Sequence, residues 1–139
     1  MMEDDIFCMI IRGEIPSTKV YEDEDVLAIL DISQATRGHT LVMPKAHYKD
    51  MLHCPGELLH RVMDVAQRIG QAAIKSLGAS GVNILTNAGP SAGQTIPHFH
   101  VHVIPRYDVD TGGFEITMKE NTDKDLNLPV IAQEIKEKL

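Results

Sequence analysis

The stretch "PHFHVHVIPR", Pro97 to Arg106, decides how this chain reads. His98, His100 and His102 fall at every second position, and Phe99, Val101 and Val103 fill the gaps. In a strand, successive side chains point to opposite faces, so the three imidazoles share one face and the apolar residues enter the other. The apolar face accounts for the strand. Aligned imidazoles serve no packing purpose, and each carries two ring nitrogens that need partners. Two chemistries suit them. His-x-His on a strand, joined by a remote ligand such as His39 or His47, can build a zinc site. Alternatively, a neutral imidazole attacks phosphorus while its neighbours position the phosphate and assist proton movement.

The preceding loop, "AGPSAGQTIP" from Ala88 to Pro97, weighs toward phosphorus. Its small residues let backbone approach a ligand, and the Gln94 amide and Thr95 hydroxyl are uncharged phosphate donors. Working outward, "VNILTN" before this loop reads as a strand, as does "HTLVMP", His39 to Pro44. "KVYEDEDVLAILD" reads as a hairpin with "EDED" at its turn. From Pro55 to Leu77 the period becomes helical, with Leu58, Leu59, Val62, Val65, Ala66, Ile69, Ala72 and Ala73 on one stripe and Gly78 at the end. This stripe exceeds what one small sheet obviously covers, which suggests pairing of two copies. "DDIFCMIIRG" is a short helix capped by Asp4 or Asp5. A second amphipathic helix is expected from Val130 to Leu139, in a polar extension beyond the core.

The bulk properties set limits on function. A chain of 139 residues supports one domain with a real core. Its formal charge of −7 argues against a binder of long nucleic acids, which releases counterions through a basic surface. Cys8 and Cys54, with the acidic start "MMEDD", suggest a reduced, cytoplasmic protein. The longest apolar runs, "VLAIL" and "TLVMP", fall far short of the ~20 residues that a spanning helix needs.

"GQTIPHFHVHVIPR" resembles the signature of the histidine triad (HIT) family, in which three histidines alternate with apolar residues. The likeness extends through "NAGPSAGQT", "LDISQATRGHTLVMPKAH" and "IFCMIIRGEIPSTKVYEDEDVLAILDIS", roughly Ile6 to Arg106, and is nearest to the bacterial Hint-like, nucleotide-binding branch. The resemblance implies an α+β fold: a five-stranded antiparallel sheet, one main helix, a short N-terminal helix and a C-terminal tail. It further implies dimers with their sheets joined. On this reading 1–139 form a single HIT domain, with a core at about 5–106 and an extension at 107–139.

The resemblance also implies roles. His100 would be the nucleophile toward the α-phosphorus of a nucleoside phosphoramidate or related nucleotide, forming a covalent nucleotidyl-histidine intermediate. His102 would contact the phosphate, while His98 and His39 support and orient. Asp31 would accept from ribose hydroxyls, Ile32 would pack on the nucleoside, and Asn87, Gln94 and Thr95 would surround the phosphate and leaving group. Taken alone, Asp31 reads better as a turn residue and Asn87 as a strand-end cap; their joint occurrence at the family's spacings reverses that preference. No cofactor is required for this catalysis. The implied partners are a nucleoside monophosphate or phosphoramidate and a second copy of the chain. The alternative is a nucleotide-binding regulatory protein whose hydrolysis is incidental. One departure concerns zinc: many bacterial members resembling this chain carry a structural zinc on Cys-x-x-Cys and two histidines, but here "DIFC" puts Asp5 where the first thiolate would be. The expectation is an emptied site, with zinc held by Asp5, Cys8, His47 and His98 as the alternative.

Overall fold

In the computed structural model, residues 4–109, 113–123 and 126–139 are described. Asp5, not Asp4, caps helix α1 (Ile6–Ile11), its carboxylate accepting from the Cys8 N–H at 2.9 Å. Asp4 instead pairs with Arg12. Strands β1 (Lys19–Glu22) and β2 (Val26–Leu30) form the expected hairpin, and Asp23 closes its turn by accepting from the Asp25 and Val26 N–H groups. Next come β3 (Thr40–Pro44), α2 (Gly56–Leu77), β4 (Gly81–Leu85), β5 (Val101–Arg106) and α3 (Leu128–Lys136). The five strands make one antiparallel sheet in the order β1-β2-β3-β5-β4.

The continuous apolar run of β2 follows from its position between two layers. Val26 and Ala28 pack with Val42, Phe99, Val101 and Val103 against Val62, Val65 and Ala66 of α2. Leu27 and Ile29 face the other way, with Leu41 and Met43, against Phe7 and Ile10 of α1. Each fully buried Val, Leu, Ile, Phe or Met among them stabilises the fold by about 1.5–3 kcal/mol. The sheet covers Val62, Val65, Ala66 and Ala73 of the α2 stripe, while Leu58, Leu59 and Ile69 are only half-buried and Ala72 is exposed. Helix α2 also leaves Met63 and Ile74 exposed, and its Gly70 lies against Ile84 of the edge strand β4, which is exposed too.

Several boundaries differ from the sequence reading. Strand β3 starts at Thr40, because the His39 carbonyl is engaged outside it by the Asp31 N–H. Pro55 caps α2 from outside its first turn, and Gly78 ends it in the left-handed conformation. Helix α3 begins earlier than expected because Asn127 caps it and Pro129 fits its first turn, where a missing N–H costs nothing. The largest difference is β5. His98, Phe99 and His100 precede its ladder, since β3 pairs with it only through Thr40, Leu41 and Val42. Beyond that point the Phe99 N–H donates to the Tyr48 carbonyl instead. Alternation still survives in the packing: Phe99, Val101 and Val103 all enter the α2 layer.

Candidate active site

Leu41 sits opposite His102 across the β3/β5 pair, so His102 shares the sheet face that carries α1. All three alternating histidines lie toward α1, whose Phe7 meets the rings of both His98 and His100, yet each ring is committed to a different set of partners. His98 is 0% exposed. Its Nε2–H donates to the Pro44 carbonyl at 2.9 Å, which leaves the bare Nδ1 directed at Asp5 Oδ2 (3.3 Å) and Cys8 Sγ (3.7 Å). With its ring engaged there, His98 supports the next histidine through its main chain: the His98 carbonyl accepts from His100 Nδ1 at 2.7 Å.

This contact fixes the state of His100. A carbonyl oxygen only accepts, so Nδ1 carries the proton and Nε2 keeps a free lone pair. Burial, the largest cause, pushes the His100 pKa down and keeps the ring neutral near neutral pH. The Phe7 ring meets it edge-on at 4.9 Å, and the Thr86 hydroxyl donates to its carbonyl at 2.6 Å.

His102 is fixed in the opposite tautomer by a relay. The Ala35 N–H donates to His39 Nδ1 at 3.2 Å, so neutral His39 carries its proton on Nε2. That proton is donated to His102 Nδ1 at 3.0 Å, leaving the His102 proton on Nε2. Burial first, and then the neighbouring His100 and His39, lower the His102 pKa to about 4. Burial likewise lowers that of His39, against the opposing pull of Asp31, whose Oδ2 lies 3.8 Å from His39 Nε2. Adjacent rings, 5.0 Å apart, therefore present a lone pair on His100 and a donor on His102.

An apolar pocket opens between α1 and the sheet, lined by Ile6, Phe7, Ile10, Ile15 and Ile96 together with Asp31 and Ile32, and Phe7 joins its wall to His100. Asp31 accepts from the Ser33 N–H at 2.8 Å, and Ile32 is 98% exposed. Of the loop residues, Gln94 behaves differently from the sequence reading. Gln94 Nε2 donates to the Lys49 and Ile96 carbonyls while Oε1 accepts from the Gly89 N–H, so its amide braces the loop. Thr95 is exposed, and Asn87 reaches the Gly93 carbonyl at 3.5 Å. Phe7, Thr86 and the Ala35 N–H were not identifiable from sequence: an apolar helix residue, a strand-end threonine and a backbone group carry no local signal of such roles.

The residues 12–109 match the profile of the HIT domain family. This chain belongs to the HIT domain family. The "Protein hit" of Bacillus subtilis is 46% identical over 121 residues, covering 87% of this chain and 83% of that one. The adenylylsulfatase HINT3 of Arabidopsis thaliana is 40% identical over 110 residues, 79% of this chain and 56% of that protein. The crystal structure of a HIT family protein from Bacillus anthracis superimposes with a TM-score of 0.91 at 42% identity, covering 100% of this chain and 99% of that one. The HIT fold is thus the five-stranded antiparallel sheet with one main helix described above.

A second cluster lies behind the HIT histidines. One ligand atom each from Asp5, Cys8, His47 and His98 falls within 4.8 Å of the others. His47 Nδ1 is 2.9 Å from Asp5 Oδ2 and 3.5 Å from Cys8 Sγ. The lone pair of His98 Nδ1 facing a carboxylate and a thiol is a donor set that a cation satisfies, and the Pro44 carbonyl supplies the outer hydrogen bond that orients a ligating imidazole. One sulfur, one oxygen and two nitrogens suit zinc. A further group, Asp31, His39 and His102, also lies close together, but there the His39 Nε2–H already fills the space between nitrogens.

Proposed function

We propose that this chain is a nucleotidyl hydrolase or transferase that acts at the α-phosphorus of a nucleoside phosphoramidate or related nucleotide, with His100 as nucleophile. The observation that carries this reading is the His100 ring itself, whose Nδ1–H is held by the His98 carbonyl so that the Nε2 lone pair is available. The base would occupy the apolar pocket beside α1, and Asp31 would accept from the ribose hydroxyls. His100 Nε2 would form a bond to phosphorus. The bond to the leaving nitrogen breaks with its electron pair, and that nitrogen takes up one proton from solvent. The nucleotidyl-imidazolium keeps its Nδ1–H on the His98 carbonyl, while the His102 Nε2–H donates to a phosphoryl oxygen. Water then attacks phosphorus, returns the electron pair to Nε2 and releases one proton. The relative named an adenylylsulfatase supports hydrolysis at an adenylyl-type phosphate.

The test is turnover of AMP, GMP and UMP phosphoramidates alongside dinucleoside polyphosphates. Negligible turnover of all of them, despite tight nucleotide binding, would favour the regulatory alternative. In addition we propose a structural zinc on Asp5, Cys8, His47 and His98. It would pin α1, and with it Phe7 and the pocket wall, to the residues that hold the nucleophile. We also propose a homodimer through Met63, Ile74 and Ile84, on the exposed α2 face and the adjoining β4 edge. Neither Cys8 nor Cys54 is in a disulfide, which supports a cytoplasmic setting. Among the described residues no helix is long and apolar enough to cross a membrane.

A further inference from the structure

The loop between β2 and β3 carries Asp31 at one end and His39 at the other, and residues that follow the histidine stretch grip its middle. The Tyr107 hydroxyl donates to the Arg37 carbonyl at 2.6 Å. The Gly113 N–H donates to the Ala35 carbonyl at 2.7 Å. Next to Gly113, the Phe114 ring lies under the Arg106 guanidinium, 5.5 Å from its centroid, which ties this part of the tail to the end of β5. Gly38, at φ +93°, is pressed so closely that a Cβ would lie 2.6 Å from Leu77 Cδ1 and 3.3 Å from Pro105 Cγ. The loop is held from outside the site on three sides.

The gripped residue matters because the N–H of Ala35 chooses the tautomer of His39, and His39 chooses that of His102. If Ala35 drifts, His39 is free to carry its proton on Nδ1. Its Nε2 then becomes an acceptor, His102 must place its proton on Nδ1, and the donor edge of His102 toward the pocket is lost. No proton is gained or lost overall; two change nitrogens.

We propose that Tyr107 and Gly113, at the start of the C-terminal extension, are positioning residues that hold the His39–His102 pair in its donor state. The catalytic part of this inference rests on the proposed reaction, whereas its structural part does not. The test is long-range ¹H–¹⁵N spectroscopy of ¹⁵N-histidine-labelled protein, with kinetics in parallel, on Tyr107→Phe and Gly113→Pro. Tyr107→Phe removes one hydroxyl and keeps the ring. Gly113→Pro removes the N–H at a position where an added Cβ meets nothing within 4 Å. In both variants His39 and His102 should shift toward the alternative tautomers, while His100 keeps its Nδ1–H. The kcat should fall roughly three- to tenfold, the rate equivalent of one neutral hydrogen bond, with KM little changed. Wild-type tautomers in both variants would overturn the inference. A tautomer shift in variants of a protein that turns over no nucleotide would uphold the clamp and refute the proposed reaction instead.

Discussion

Replacing His98 by alanine separates two accounts of the triad. If all three imidazoles worked on phosphate, the loss would be catalytic; the geometry here makes it a loss of stability. The ring is fully buried, and its removal leaves the Pro44 carbonyl without its partner. An unsatisfied buried acceptor and an unfilled cavity together cost about 3–5 kcal/mol. Unfolding entropy of about 2.1 cal/mol/K per residue, taken over 139 residues, converts this to a Tm lower by about 10–17 °C. The His98 carbonyl survives the substitution, so the Nδ1–H of His100 keeps its acceptor. In chelator-treated protein well below its Tm, kcat should stay within about tenfold of wild type. Thermal unfolding and steady-state turnover of a nucleoside phosphoramidate measure the two quantities. An unchanged Tm, or a folded variant whose kcat has fallen by about three powers of ten or more, would refute this reasoning.

Three other outcomes follow from the same geometry. Burial holds His39, His100 and His102 below their ordinary pKa, His102 at about 4 against 6.5, so between those values the unfolded chain binds protons that the folded chain does not. This stabilisation is complete above about pH 6.5 and is lost as pH falls toward 4. Urea midpoints of metal-free protein should decline across that window, less steeply for His102→Gln; equal slopes would contradict the burial argument. Protein loaded with zinc and desalted should retain one equivalent, and Asp5→Asn should weaken retention at least about tenfold; equal retention would remove Asp5 from the site. Light scattering at micromolar concentration should give twice the 15.4 kDa chain mass, and Ile84→Asp should restore the monomer; a wild-type mass near 15.4 kDa would end the dimer proposal.

The alternating histidines were legible because side-chain alternation is a local property, and the buried apolar members confirm it on the α2 side. The helical stripe of α2 was legible for the same reason, its period being intrinsic to the chain. What each ring does was not legible, because its tautomer is set by backbone groups distant in sequence: Pro44 for His98, and Ala35 through His39 for His102. The gathering of Asp5, Cys8, His47 and His98 depends on docking of α1 against the sheet. Gln94 looked like a phosphate donor because its type and its loop suited one, yet the nearby Lys49 and Ile96 carbonyls had claimed its amide. The start of β5 was misread because loop residue Tyr48, not a strand, takes the Phe99 N–H.

The central claim is that His100 Nε2 forms a bond to phosphorus. The most direct measurement is to quench wild-type protein during turnover of a labelled nucleoside phosphoramidate and to locate the nucleotidyl adduct by mass spectrometry. The adduct should lie on His100 and be absent from His100→Ala, which should still bind nucleotide through Asp31 and the apolar pocket. An adduct on His98 or His102, or near-normal turnover by His100→Ala, would contradict the account.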